Sequence, residues 1–393
     1  MLDLPTPDAD ARAHSAALAH EIHGEIDKAG GWIPFARYME LALYRPGLGY
    51  YAAGATKLGV AGDFTTAPEM TPLFGAALSR QIAAILAASD ERHIVELGGG
   101  TGRLATSVLN ALAQTDALPA RYCILERSPD LRARQQELFR REIPQWLARI
   151  EWLDALPESM HGAVLANEVL DAIAVHIVHR RGEVMEERGV ALGQPSSRKI
   201  APHFGLEWRD RPAPLWLAKV AAQRLPASDD YVSEVNPAAE ALVHDIGQRL
   251  ASGAALLIDY GFPAREYYHP QRATGTLMCH YRHRAHDDPF FYPGLCDITA
   301  HVDFSAMAAA GVQAGLSMAG FCAQAPFLLS CGILDRLEAV GAPESLPYMK
   351  AASQVQTLLS PAEMGELFKV LALARSPAIE WPGFALADQR HRL

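Results

Sequence analysis

The sequence predicts an α/β fold: a mostly parallel sheet with helices on both faces, carrying an inserted second lobe and an N-terminal layer. Three observations lead there. Short apolar segments alternate with helix-periodic ones from Ala76 onward, glycines follow directly on the first apolar segment, and two stretches break that rhythm. Strands that alternate with helices imply parallel pairing, and a parallel sheet is covered on both faces.

Small and apolar residues recur at helical spacing over 76–88, and 93–98 reads as a short buried strand running into glycines. A helix over 101–113, strands over 122–126, 150–153 and 163–166, and a helix over 129–141 continue the pattern. Asn236 and Pro237 read as the cap and first residue of a helix reaching 250, followed by a buried strand over 254–259. A helix near 304–310, a strand near 315–319 and a last strand over 367–374 complete the sheet. The interruptions at about 175–231 and 262–303 read as insertions that build a second lobe. Residues 1–75 read as an N-terminal layer, helical over 11–29 and 34–43, and 76–393 as the core.

Composition narrows the class. The chain has 393 residues, 50% apolar and 20% charged, enough for a large core without staples. Its 45 acids against 35 bases leave a net charge of −10, so nucleic acid is not an expected partner. Five cysteines with no C-x-x-C pair argue against a disulfide framework or a thiolate zinc site. No apolar run reaches the roughly 18 residues that span a bilayer. Residues 1–12 carry Asp3, Asp8 and Asp10 and no apolar stretch, which reads as neither a secretory signal nor an import presequence. The expectation is a cytoplasmic protein without membrane insertion, and a homodimer is open to it.

The densest chemical signal is Glu96-Leu97-Gly98-Gly99-Gly100-Thr101-Gly102-Arg103, after a strand and opening a helix. Glycines allow close backbone approach, and a helix N-terminus offers unpaired N–H groups. A dinucleotide fingerprint needs G-x-G-x-x-G, and its third glycine would fall on Arg103. The spacing Glu96-x-Gly98-x-Gly100-x-Gly102 instead resembles the first motif of class I S-adenosyl-L-methionine (SAM) methyltransferases. The resemblance implies that Glu96 lies near the amino-acid end of SAM. Glu126, 28 residues after Gly98 at the next strand end, would accept the ribose hydroxyls; its plainer reading is pairing with Arg127 or Arg121. Asp154, past the third strand, falls where the family contacts the adenine amine; an ordinary helix cap before Ala155 is the alternative.

Five further segments narrow the resemblance. Gly62-Asp63-Phe64-Thr65-Thr66-Ala67-Pro68-Glu69 precedes Phe74-Gly75, and later come Asn167-Glu168-Val169-Leu170-Asp171, Asp259-Tyr260-Gly261, Gly275-Thr276-Leu277 and Asp297-Ile298-Thr299-Ala300-His301. In that order, from about Tyr38 to Phe327, the combination resembles the MidA-type methyltransferases related to a mitochondrial complex I assembly factor. The resemblance implies a class I methyltransferase sheet with family-specific insertions, and methylation of an arginine on a respiratory complex I subunit. It also makes Asp63 and Thr65 part of a cofactor or substrate lid; a turn in which Asp63 bonds its own backbone is the alternative. The chain departs from the mitochondrial branch in its N-terminus and in reading Gly-Gly-Thr-Gly where that branch varies, so the acceptor stays open between arginine and another group. An assembly factor with little turnover is the other reading.

Asn167, Glu168 and Asp171 are the catalytic candidates on physical grounds as well. They follow the fourth strand, whose carboxyl edge would face the reactive methyl. Carboxylates there could hold a planar guanidinium bidentately and localise its charge away from the attacking nitrogen. Capping of a short helix by Asn167 and Asp171 is the competing reading. His280, His283 and His286 sit beside Pro289 and Pro293 and read as a loop; His283 and His301 read as structural or substrate-rim residues, and no metal is expected.

Overall fold

The computed structural model describes residues 4–53, 66–198, 200–376 and 378–393. The chain divides into two compact units: Met1–Phe64, Asp171–Ala239 and Ala264–His301 form one, and Thr65–Leu170, Glu240–Pro263 and Val302–Leu393 the other. Asp63 and Thr65 lie outside the described residues.

The second of these units is the core. Its strands are β1 (His93–Leu97), β2 (Arg121–Leu125), β3 (Ile150–Leu153), β4 (Met160–Asn167), β5 (Leu250–Phe262), β6 (Ser317–Ala323) and β7 (Phe368–Ala374), lying in the order β6-β7-β5-β4-β1-β2-β3. Strands β1 to β5 pair in parallel, while β7 runs antiparallel to both β5 and β6. A two-residue strand, Val302–Asp303, extends the sheet beside the end of β5. The strands are almost continuously apolar because both faces are covered. One face carries Val370 and Ala372 in the main apolar cluster. On the other, helix Phe304–Gln313 comes so close that a Cβ on Gly311 would stand 2.6 Å from Leu373 Cδ1.

Helices α1 (Pro72–Ala87), α2 (Arg103–Ala113) and α3 (Pro129–Glu142) start where local chemistry allows. Thr71 and Ser128 accept backbone N–H groups from Leu73 and Leu131, each before a proline at the first helical position. The expected helix over 101–113 starts at Arg103, because Gly102 takes the left-handed region at φ +90° and caps it.

Glycine also explains the crossing of three strands. Gly162 in β4 pairs with His93 of β1 and Gly253 of β5. Both glycines have positive φ, +118° and +103°, and a Cβ on either would stand 2.0 Å from a carbonyl oxygen, His93 O or Gly162 O. The backbones meet where no side chain fits.

The other unit joins the N-terminal segment to both insertions. The layer expected over 1–75 does not stand alone, because its strand Trp32–Pro34 pairs antiparallel with Val184–Leu192 of the first insertion. Strands His176–Arg181, Tyr231–Val235 and Leu206–Pro212 complete an antiparallel sheet, and Met278–Tyr281, Arg284–His286 and Asp297–Thr299 make a smaller one. Leu18, Ile22, Phe35, Tyr38, Ile177, Val190 and Ile298 share its apolar core. Asn236 caps its helix as expected, accepting from Ala239 N–H at 2.9 Å. The histidine segment corrects the expected loop: it is a hairpin, turned by Arg282 and His283 in the left-handed region at φ +46° and +59°. No helix among the described residues is long and apolar enough to cross a membrane.

Gly162→Ala should cost about 2–4 kcal/mol, combining backbone strain with a clash against a carbonyl that cannot move independently. Urea unfolding of the two proteins measures this; equal midpoints would mean that the crossing relaxes freely.

Candidate active site at the carboxyl ends of the core strands

The candidate residues described in the core converge because of register. Leu97 pairs with Leu125 on one side and with Ala166 on the other, so the segments after β1, β2 and β4 leave one edge together. In an open parallel sheet that edge is where ligands bind.

The loop after β1 is left-handed at Gly98, Gly100 and Gly102, with φ of +63°, +52° and +90°. A Cβ at Gly102 would stand 2.7 Å from the Phe139 ring, and one at Gly99 2.7 Å from Ile124 Cγ2. The glycines therefore serve α3 and β2 as well as close approach by a ligand. Gln135 of α3, fully buried, donates to Gly100 O at 2.8 Å, accepts the Trp152 indole N–H at 2.7 Å, and stands 3.5 Å from Glu126 Oε2.

Glu126 is buried just past β2. Its Oε1 accepts Ser128 N–H at 2.9 Å. Burial pushes its carboxyl above the ordinary carboxylate range, against the Ser128 and Arg127 N–H groups and the Gln135 amide, which favour the charge. A carboxylate has about four lone-pair positions, and with these three donors one remains open to a diol hydroxyl. Arg132 ties the neighbouring strand ends, donating to Glu126 O at 2.5 Å and Leu153 O at 2.6 Å, and it pairs with Asp154 at 2.7 Å. Asp154 is exposed and no helix follows it, so the alternative role as a cap falls.

Glu96 turns inward: its Oε2 accepts the Tyr122 hydroxyl at 2.7 Å. Burial raises its carboxyl to about 7; the Tyr122 hydrogen bond opposes the rise and the nearby Glu126 charge adds to it.

After β4 the chain turns sharply. Glu168 is left-handed at φ +52°, an uncommon state for a residue with a side chain. Its N–H donates to Ile258 O at 2.9 Å, and its Oε1 accepts from Asn167 Nδ2 at 3.1 Å and Ala67 N–H at 3.4 Å. Asp259 of β5, fully buried, accepts Val169 N–H at 3.2 Å and Leu170 N–H at 3.0 Å and so holds the turn. No helix forms over 167–175, which removes the capping reading for Asn167 and Asp171. Asp171 belongs to the other unit, where it is buried and its carbonyl accepts Ala300 N–H at 3.0 Å.

Sequence reasoning did not single out Gln135, Arg132 or Tyr122, and it assigned no role to Asp259. The described residues also hold a group with metal-ligand chemistry elsewhere than the histidine run: His179, Glu186 and Asp210, within 4.8 Å of one another in the other unit. Arg181 pairs with Glu186 and Asp210, and Arg188 with Asp210, so cations already balance those carboxylates.

The core edge fits SAM. Asn167 Oδ1 is a buried acceptor with no donor among the described residues, the loop beside it is left-handed glycine, and Glu126 keeps acceptor capacity. Glu126→Ala should remove the charge-assisted bonding to the ribose and lower SAM affinity at least about tenfold in calorimetry. Gly100→Val should abolish binding in a folded protein, since a branched residue is refused at φ +52°. Unchanged affinity in either variant would place the cofactor elsewhere.

The Glu96 carboxyl makes a separate prediction. A folded-state value above the ordinary 4.5 favours the protonated folded form. The stability linked to this group is whole below about pH 4.5 and is lost as pH rises through about 7, by about 3 kcal/mol. Denaturant unfolding of the ligand-free protein should show that decline relative to Glu96→Gln, which lacks it.

The comparisons agree with the geometry. The family described as "Putative S-adenosyl-L-methionine-dependent methyltransferase" matches residues 77–322. Mitochondrial proteins named "Protein arginine methyltransferase NDUFAF7" are 28% identical in Mus musculus, over 88% of this chain and 82% of theirs, and 30% identical in Danio rerio, over 88% and 84%. A crystal structure of a "likely methyl transferase" from Burkholderia thailandensis bound to S-adenosyl-homocysteine has 48% identity and a TM-score of 0.93, each chain fully covered. The chain belongs to the MidA-type family of SAM-dependent methyltransferases, and its α/β core is the class I methyltransferase fold.

Proposed function

We propose that the acceptor is an arginine side chain of a protein partner. The observation that carries this reading is Glu168: a carboxylate fixed at the carboxyl end of β4, beside the glycine loop, in a backbone conformation that side chains rarely adopt. The names of the mitochondrial relatives support it.

SAM supplies an electrophilic methyl on a sulfonium. The rest of the work is alignment and proton management. Glu168 receives the guanidinium N–H groups, orients the plane of the cation, and draws its charge away from the nitrogen that attacks. Transfer to a protonated guanidinium releases one proton, and the Glu168 carboxylate accepts it. Asn167 Nδ2, 3.1 Å from Glu168 Oε1, steadies that carboxylate. Asp259 keeps the turn from relaxing through its hold on Val169 and Leu170.

Glu168→Gln keeps the shape and hydrogen-bonding capacity and loses the charge. SAM affinity and melting temperature should persist, while single-turnover methylation of arginine falls about 30- to 1000-fold, equivalent to roughly 2–4 kcal/mol. Full activity would remove the clamp. A lowered melting temperature with proportional loss of SAM binding would make Glu168 a structural residue.

A further inference from the structure

Glu69 lies outside every role assigned so far. It sits on a single turn, Ala67–Met70, between Thr66 and α1. The start of α1 is fixed by its packing on α2: a Cβ on Gly75 would stand 2.0 Å from Ser107 Oγ, so the two helices meet almost at backbone contact. Because α2 begins at the glycine loop, this packing carries the Ala67–Met70 turn to the same sheet edge. There the turn makes two contacts. Thr101 Oγ1, within the loop, donates to Glu69 Oε1, and Ala67 N–H donates to Glu168 Oε1 at 3.4 Å. The turn thus links the segment after β1 to the segment after β4.

SAM and S-adenosyl-homocysteine both carry an α-ammonium, a compact cation with three donors that needs acceptors close to the glycine loop. Glu96 turns away from that loop to Tyr122. Glu69 is half-buried, with its carboxylate anchored on the loop itself. A second, independent acceptor stands at this edge: Asn167 Oδ1, buried and without a donor among the described residues. We infer that Glu69 binds the α-ammonium of the cofactor's amino-acid end, with Thr101 as the residue that positions its carboxylate. The inference rests on SAM occupying this edge and refines which acid reads its amino group.

The test compares S-adenosyl-homocysteine with its deaminated analogue, which keeps the adenosine, the thioether and the carboxylate. Affinities are measured by calorimetry, with displacement titration for the weaker ligand, on the full chain and on Glu69→Gln. In the wild type, removing the ammonium should cost at least about tenfold in affinity; in Glu69→Gln the two ligands should differ by less than about threefold. The same ratio in both proteins would overturn the inference, as would a loss in Glu69→Gln that is equal for both ligands. Failure of the wild type to bind S-adenosyl-homocysteine at all would instead defeat the site. If Glu69→Gln does not fold, Thr101→Val is measured in its place: it leaves the carboxylate but removes its anchor, and the discrimination between the two ligands should again shrink. Unaltered discrimination there would overturn the inference as well.

Discussion

The core depends on one buried amide. Gln135 is fully enclosed, yet its donor is used by the Gly100 carbonyl and its acceptor by the Trp152 indole, with the Glu126 carboxylate close by. Those partners come from the segment after β1, from β3 and from the end of β2, so a single side chain of α3 sets three parts of the edge relative to one another. A satisfied buried polar group rigidifies its surroundings, because every alternative arrangement leaves a donor or acceptor desolvated and unpaired. Two glycines of the loop follow from the same constraint: a Cβ on Gly99 would meet Ile124 and Gln135, and one on Gly102 would meet the Phe139 ring.

The acids at this edge are differentiated by environment. Glu96 is dry, turned to Tyr122 and raised to about 7 by burial. Glu126 is also buried, but backbone N–H groups offset part of the desolvation. Glu168 and Glu69 are less enclosed and engage backbone and side-chain donors of the loops. A cationic cofactor beside two partly exposed carboxylates, with the Glu96 carboxyl raised to about 7, lessens the stacking of four negative charges in one place.

Much of this was legible in sequence. Alternating apolar and helical segments reveal the strands, and the glycine spacing with acids at successive strand ends reveals the cofactor edge, because those signals are local. What was not legible depends on distant contacts. Gln135 stands among Arg132, Arg134 and Gln136 and reads as part of a solvated helix face. Asp259 reaches Val169 across the β4–β5 register from 90 residues away. Glu69 arrives through the close approach of Gly75 to Ser107, which no periodicity announces. The histidine hairpin was hidden because its turn uses Arg282 and His283 in a conformation that sequence signals usually reserve for glycine or asparagine.

The cofactor edge identifies the methyl donor, whereas the acceptor rests on Glu168. The most direct measurement of the acceptor is the atom that receives the label. Incubating the protein with methyl-labelled SAM and a cell lysate, then locating the label by tandem mass spectrometry, should find it on a guanidino nitrogen of an arginine in one or a few proteins. Label on an oxygen, on a lysine amine or on a small molecule would contradict the account.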